Sequence, residues 1–286
     1  MRVLVATDLS AAADLALQQA AESTLGSSDE LAVVHVMPRH ASLGVSFPRQ
    51  QASELAPSEI AARANAAARE HIDSKVRPGV DKFIREGVDY AEIVRCAEAW
   101  GADRIVVGSH GRTGLARLFG TVSDRVIRWA HCDVLVVRQS PPTGPVLAAT
   151  DLSPAARPSL VAGAREAQRR GAPLLVVHAI DFLEVEATYL LEASTGIGSP
   201  NVFELARQGL ADAVAKLGVP ADCRILACPA ATAILQEAEA LGAQLVVVGA
   251  RGHTGLARLA LGGVAQRVAQ GAPCSVLVAR EPAASG

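Results

Sequence analysis

The stretch "VVGSHGRTGLARLFGT" at residues 106–121 returns with small changes as "VVGARGHTGLARLALGG" at residues 247–263. Three other stretches also occur twice in the same order, among them "VLVATDLSAAA" at 3–13 and "VLAATDLSPAA" at 146–156. The offsets lie between 141 and 143 residues, which is the size of a domain and far above the period of a solenoid repeat. The sequence therefore predicts two copies of one domain, 1–140 and 145–286, joined by the polar linker "QSPPTGP" at 139–145.

Each copy alternates short aliphatic runs with helical patterns. In the first copy the runs at 3–6, 32–36, 105–107 and 134–137 are typical of strands buried on both faces of a parallel sheet. Apolar residues at helical spacing follow in both copies, and long helices are predicted near 59–76 and 201–217, each preceded by an irregular stretch (38–58 and 181–200). The expected fold class is α/β: two repeated doubly wound domains, each a five-stranded parallel sheet of order 3-2-1-4-5 with helices on both faces.

The composition bounds the classes of function. The 286 residues are 50% hydrophobic and 20% charged with a net charge of −2, so the chain has no overall positive field that would attract nucleic acid or an anionic membrane. No apolar run is long enough to cross a membrane, and Asp8 interrupts the first apolar run before it could act as a signal peptide, so we expect a cytoplasmic protein. The five cysteines form no CxxC pair, and no metal site is predicted.

The repeated motifs converge on one crevice in each copy. Doubly wound sheets bind ligands beyond the carboxyl ends of their strands where the strand order reverses, here between the first and fourth strands. The first strands end at Asp8 and Asp151, and the fourth strands end at Gly108 and Gly249. Glycines let backbone N–H groups approach a ligand, and the N-termini of the helices that follow present further N–H donors, so the crevice is predicted to bind phosphate.

The two aspartates have two interpretations at this point. Asp8 and Asp151 are placed to accept hydrogen bonds from an adenine amine or a ribose hydroxyl. They are also placed to cap the helix that follows, a task for which Ser10 and Ser153 compete. Both interpretations stay open from the sequence.

The sequence resembles the universal stress protein family in its tandem, two-domain form. The resemblance rests on "ATDLS" in both copies, "VVHV" and "VVHA", the two glycine-containing stretches, and the closing "VLVVR" and "VLVAR". It implies a stress-response or signalling protein. Members of the family divide into those that bind ATP, with Mg²⁺ as the usual companion of its phosphates, and those that do not, and the motif G-x2-G-x9-G-[S/T] marks the members that bind it. By resemblance, backbone at Val36 and Ala179 contacts the adenine. The residues at the phosphates would be Gly108, Gly111, Gly120, Thr121 and Val122 in the first copy and Gly249, Gly252, Gly262, Gly263 and Val264 in the second.

Neither copy matches that motif completely. In the first copy only eight residues separate Gly111 from Gly120, whereas in the second the spacing is kept but Gly263 replaces the hydroxyl residue. A missing residue shifts the backbone by up to about 3.5 Å, which is more than a hydrogen bond tolerates. A missing hydroxyl costs about 1.5–3 kcal/mol. The second copy is therefore predicted to be the better nucleotide site. His110 and Arg112 in the first loop and Arg251 and His253 in the second are either phosphate contacts or ordinary exposed residues.

Other classes of function find less support. The chain contains no P-loop and no dinucleotide-binding fingerprint. A Ser-His hydrolase would have to use Ser109 and His110, but adjacent residues rarely place a general base within reach of its nucleophile. The second copy has Ala250 and Arg251 at these positions. His35 and His178 lie among valines and are interpreted as hydrogen-bonded core residues. An enzyme is not expected beyond slow ATP hydrolysis, and an adenylate-handling or flavoprotein function would rest on fold analogy alone.

An alternative without a ligand stays open, in which the tandem protein is a nucleotide-free interaction module. Each copy ends in an apolar strand, at 133–137 and 275–279, without a proline or lysine to protect its edge. Universal stress proteins form dimers through this last strand. The resemblance therefore implies pairing of the two domains within the chain, and it leaves a homodimer open.

Overall fold

The computed structural model describes residues 1–25, 28–37, 57–109, 122–139, 143–181, 201–251 and 261–281. Of the two predicted irregular stretches, 38–58 and 181–200, residues 57, 58 and 181 lie within these ranges and the rest lie outside them. The chain divides into two compact units, residues 1–138 (domain 1) and 139–286 (domain 2).

Domain 1 alternates strands and helices from its first residues onward. Its strands are β1 (Arg2–Thr7), β2 (Glu30–Met37), β3 (Asp81–Glu86), β4 (Arg104–Gly108) and β5 (Asp133–Val137). Its helices in the described ranges are α1 (Ala11–Thr24), α2 (Pro57–Asp73), α3 (Asp89–Trp100) and α4 (Val122–Trp129).

Domain 2 repeats this order. Its strands are β6 (Val146–Thr150), β7 (Leu174–Ile180), β8 (Asp222–Ala227), β9 (Leu245–Gly249) and β10 (Ser275–Ala279). A 3-10 turn (Pro154–Ala156) leads into α5 (Arg157–Arg170), and α6 (Val202–Ala215), α7 (Ala230–Ala240) and α8 (Gly263–Gly271) follow.

The strand pairing confirms the predicted order in both domains. All pairs are parallel: β1 lies between β2 and β4, β3 pairs with β2, and β5 pairs with β4. Domain 2 has the equivalent arrangement, with β6 between β7 and β9. Each domain is therefore a doubly wound sheet of order 3-2-1-4-5, and the point where the order reverses lies between β1 and β4 or between β6 and β9.

Burial explains which strands the aliphatic runs could predict. The central strands are almost continuously buried, as Leu4 and Ile105 in domain 1 and Leu147 and Val246 in domain 2 illustrate with no exposed surface. The edge strands β3 and β8 are half-exposed and carry the mixed sequences "DKFIRE" and "DCRILA". A strand with one pairing neighbour and a solvated side does not need an unbroken apolar run.

Local hydrogen bonds set the helix ends. Helix α2 ends at Asp73 rather than near residue 76, because the chain turns as the N–H groups of Lys75 and Val76 both bond to the carbonyl of Ile72. Helices α3 and α5 each end on a glycine in the left-handed conformation, Gly101 (φ 70°) and Gly171 (φ 60°). No helix in the described ranges has the length and apolar character needed to cross a membrane.

Candidate functional site

The carboxyl ends of the two central strands lie side by side in each domain. In domain 1 the register pairs Ala6 with Val107, which sets Thr7 and Asp8 beside Gly108. In domain 2 the register pairs Ala148 with Val247, which sets Thr150 and Asp151 beside Gly249 in the same way. The fold thus brings the ends of the first and fourth strands together, as the repeat predicts, and we call this place the notch of each domain.

A strained turn forms one wall of each notch. Leu9 (φ 63°) and Leu152 (φ 62°) are the residues other than glycine with positive φ in the described part of the chain. Thr7 Oγ1 accepts a hydrogen bond from the Leu9 N–H, and Thr150 Oγ1 accepts the equivalent bond from Leu152, both at 3.0 Å. Left-handed backbone is costly for a leucine and persists where surrounding contacts hold it. The same costly turn, built twice with the same bonds, marks this segment as specialised.

The aspartates belong to this turn rather than to the helix cap. Asp8 Oδ1 accepts a bond from the Ser10 N–H at 3.0 Å, and Asp151 Oδ1 accepts the equivalent bond from Ser153 at 3.0 Å. The cap of α1 is Ser10, whose Oγ accepts from the Ala13 N–H. In domain 2 the Ser153 hydroxyl makes no cap bond and donates to Asp151 Oδ1 at 2.6 Å instead.

Two half-buried histidines hold the turn in place. The Nδ1 atom of His35 lies 2.8 Å from the carbonyl oxygen of Thr7, and that of His178 lies 2.9 Å from the carbonyl oxygen of Thr150. Because a carbonyl oxygen only accepts, Nδ1 carries the hydrogen in both rings. Each histidine therefore ties the second strand to the end of the first, which supports the predicted hydrogen-bonded role, but both are half-buried rather than core residues.

The glycines at the ends of the fourth strands have a packing reason that sequence reasoning missed. A Cβ on Gly108 would lie 2.6 Å from the carbonyl oxygen of Ala12, at the start of α1. A Cβ on Gly249 would lie 3.1 Å from the carbonyl oxygen of Arg251 and 3.7 Å from that of Ala155. Glycine at position 108 therefore lets α1 begin directly over β4, whereas the tight contact of Gly249 is with the residue that follows it in its own loop.

In domain 2 the end of the glycine-containing loop is described. Gly262 is the N-cap of α8, and its N–H donates to the carbonyl of Ala250 at 2.9 Å. The Ala250 N–H in turn donates to the carbonyl of Ala279 at 2.9 Å, so the start of α8 is bonded to the ends of β9 and β10. Gly263 is exposed, and a Cβ built on it would meet no described atom within 4 Å. Val264 follows in the first turn.

The other predicted residues divide into two groups. Val36 and Ala179 lie near the ends of β2 and β7, one strand away from the notch, where they pair with Arg85 and Leu226 of the edge strands. Val122 is the first residue of α4. The remaining predicted site residues fall outside the described ranges, as do the loop residues around them: Gly111, Gly120, Thr121, Gly252, His110, Arg112 and His253.

The notches differ in the charge at the first helix turn. Asp14 lies in the first turn of α1, where it accepts from His71 Nε2 at 2.8 Å and pairs with Lys75 at 3.2 Å. Burial acts to raise the pKa of Asp14, but the hydrogen bonds and charges of His71 and Lys75 outweigh it and hold the pKa below its usual value. The equivalent position in domain 2 is the exposed Arg157. An alignment of the two copies from "ATDLS" onward would have revealed this reversal of charge from Asp14 to Arg157.

Comparisons with known proteins agree with the duplicated fold. The sequence model of the universal stress protein family matches residues 1–138 and again residues 143–280. A universal stress protein of Mycobacterium tuberculosis strain H37Rv is 36% identical over 194 residues, which cover 63% of this chain and 62% of that protein. One from Thermus aquaticus is 39% identical over 136 residues, 47% of this chain and 97% of that protein.

Among solved structures, a universal stress protein from Archaeoglobus fulgidus covers 98% of this chain and 96% of its own, with a TM-score of 0.65 and 19% identity, and supports the fold. The chain spans about three fifths of the length of the mycobacterial relative. The family match extends over both domains. The chain belongs to the universal stress protein family, as a tandem member with two family domains.

Proposed function

We propose that the protein binds an adenine nucleotide, ATP, in the notch, with domain 2 as the tighter site. The observation that carries the proposal is the start of α8. Its N-cap glycine is bonded to the end of β9, and Gly263 next to it is exposed, with no atom of the described residues within 4 Å of a Cβ built on it. A helix N-terminus fixed in this way offers backbone N–H donors and partial positive charge to a phosphate.

The charge at the first helix turn favours the same domain. Asp14 adds a negative charge at the start of α1, although His71 and Lys75 compensate it. Arg157 adds a positive charge at the start of α5. An anionic ligand is therefore attracted more strongly to the notch of domain 2, by an amount that salt reduces because Arg157 is exposed.

The remaining contacts follow the family resemblance. Asp151 would bind the ribose or the adenine amine, and Ala179 would contact the adenine through its backbone, with Asp8 and Val36 in the equivalent roles in domain 1. Mg²⁺ would arrive with the phosphates of ATP. We propose binding with at most slow hydrolysis, and a cytoplasmic stress-response or signalling role.

The test uses the full chain and a matched pair of variants. We expect ATP to raise the melting temperature of the wild-type protein and Gly262→Asp to abolish that rise, because a carboxylate would occupy and repel the phosphate position. Gly120→Asp, the same change in domain 1, should leave most of the rise intact. An ATP-induced rise that survives Gly262→Asp unchanged would contradict the proposed site.

The same contacts also support a second candidate function. Hydrogen bonds within the turn engage Asp8 and Asp151, and close backbone contacts explain Gly108 and Gly249. These residues therefore have structural reasons to be present in a protein without a nucleotide. A freshly purified protein that carries no adenine by native mass spectrometry and shows no ATP-induced shift in melting temperature would favour the nucleotide-free interaction module.

Pairing of the last strands of the two domains stays a prediction. Separately expressed domains that do not associate would contradict it.

A further inference from the structure

A small cavity lies at the carboxyl ends of β9 and β10. It has a volume of about 30 Å³ and is lined by Ala155, Ala250, Arg251, Ala279, Arg280 and Glu281. Three of these residues are alanines and two are arginines. The two arginines and one glutamate give these six described residues a net charge of +1.

The backbone fixes this cavity next to the notch of domain 2. Ala279 pairs with Gly249, and the Ala250 N–H donates to the carbonyl of Ala279 at 2.9 Å. Arg280 is the next residue after that carbonyl, and Arg251 is the next residue after Ala250. Ala155 belongs to the 3-10 turn that follows Asp151 by three residues. The cavity therefore continues the notch toward β10.

The size and charge of the cavity restrict what it could hold. A volume near 30 Å³ accommodates one or two oxygen-sized atoms and not a nucleoside. Guanidinium groups bind phosphate oxygens through paired N–H donors. Both arginines are partly exposed, whereas Glu281 is exposed and its charge is screened by water. The lining thus fits the end of an anionic ligand whose larger part lies outside the cavity.

We propose that Arg280, together with Arg251, binds the terminal phosphate of the nucleotide and makes domain 2 prefer ATP to AMP. This inference rests on the proposed function, because the nucleoside has to occupy the notch. It adds a residue at the end of the last strand that selects for the length of the phosphate chain. Arg138 has the equivalent position in domain 1, after the carbonyl of Val137 that accepts from the Ser109 N–H at 3.0 Å.

The experiment compares ATP, ADP, AMP and inorganic phosphate on the full chain by calorimetry at one ionic strength and one Mg²⁺ concentration. We expect ATP to bind at least about tenfold more tightly than AMP, which is the size of a lost charge-assisted hydrogen bond. Arg280→Gln should remove that preference by weakening ATP binding and should leave AMP binding within about twofold. Arg138→Gln is the matched control and should keep the preference.

The outcomes separate the two proposals. Equal affinities for ATP and AMP in the wild-type protein, or equal losses for both in Arg280→Gln, would overturn this inference and leave the nucleotide site standing. Binding of inorganic phosphate as tight as that of ATP would reassign the cavity to the free ion and overturn it as well. A wild-type protein that binds none of the nucleotides would overturn the proposed function. The wild-type comparison needs no variant, so a misfolded Arg280→Gln protein would not prevent a decision.

Discussion

Domains 1 and 2 have the same sheet, the same strained turn and the same histidine bond, yet they use equivalent side chains differently. Ser10 caps its helix, whereas Ser153 bonds to Asp151. Asp14 forms ion pairs with His71 and Lys75, whereas Arg157, at the equivalent position in domain 2, is exposed. The features that differ lie around the notch. The two copies thus share the backbone that forms the notch and differ in the charge and the capping at the start of the first helix.

The largest expected effect concerns the glycines at the ends of β4 and β9. Gly108→Ala should destabilise domain 1 by about 2–3 kcal/mol, because the new Cβ would meet backbone of α1 that cannot move freely. Gly249→Ala should cost domain 2 about 1 kcal/mol or less, because its contact needs a shift of a few tenths of an ångström. Urea unfolding read by hydrogen exchange in each domain measures both. Equal losses would show that the Arg251 carbonyl yields to a new Cβ no more easily than the backbone of α1 does.

The serines of the turn provide the next comparison. Ser10→Ala should cost domain 1 about 1 kcal/mol through loss of the α1 cap. Ser153→Ala removes no cap, keeps the bond from the Ser153 N–H to Asp151 and leaves a carboxylate that water can reach, so we expect a loss of about 0.5 kcal/mol in domain 2, at the low end for a hydrogen bond. Hydrogen exchange on the two variants measures both losses of unfolding free energy and so gives their ratio. A larger loss for Ser153→Ala would mean that its bond to Asp151 is required for the turn itself.

The smallest expected effect is the acid sensitivity of the Asp14 cluster. Because the pKa of Asp14 is lowered in the folded protein, its ion pairs stabilise domain 1 fully above the unfolded pKa of about 3.9 and are lost as the pH falls through the folded pKa. Asp14→Asn should cost about 0.5 kcal/mol at pH 7 and flatten the pH dependence of domain 1 below pH 4.

Arg157→Gln is the matched control for Asp14→Asn, since it removes a charge at the same place in domain 2 without breaking a cluster. It should leave the acid dependence of domain 2 as it is in the wild-type protein. If Asp14→Asn left the pH dependence of the stability of domain 1 unchanged, the ion pairs of Asp14 with His71 and Lys75 would not contribute to that stability.

Much of the fold could be predicted because periodicity and repetition are local signals. The aliphatic runs located the central strands and the offset between the copies located the duplication, whereas the half-exposed β3 and β8 carry no such run. The notch could be placed because strand order fixes where the carboxyl ends meet. The packing role of Gly108 could not be predicted, since the atom it avoids belongs to Ala12, nearly a hundred residues earlier in the chain.

By itself the sequence determined the duplication, the doubly wound class of each domain and the convergence of the "ATDLS" turn and the glycine-containing loop, because each depends on neighbouring residues and on strand order. Only the tertiary structure decided which oxygen accepts which N–H, that Ser10 and Ser153 have different partners, and that Arg251 and Arg280 line one cavity. The Arg251–Arg280 cavity joins residues far apart in sequence, whereas the serine and aspartate bonds span two or three residues and depend on backbone geometry that the fold sets. A hydrogen bond is made or lost over a few tenths of an ångström, and only the folded backbone sets that distance.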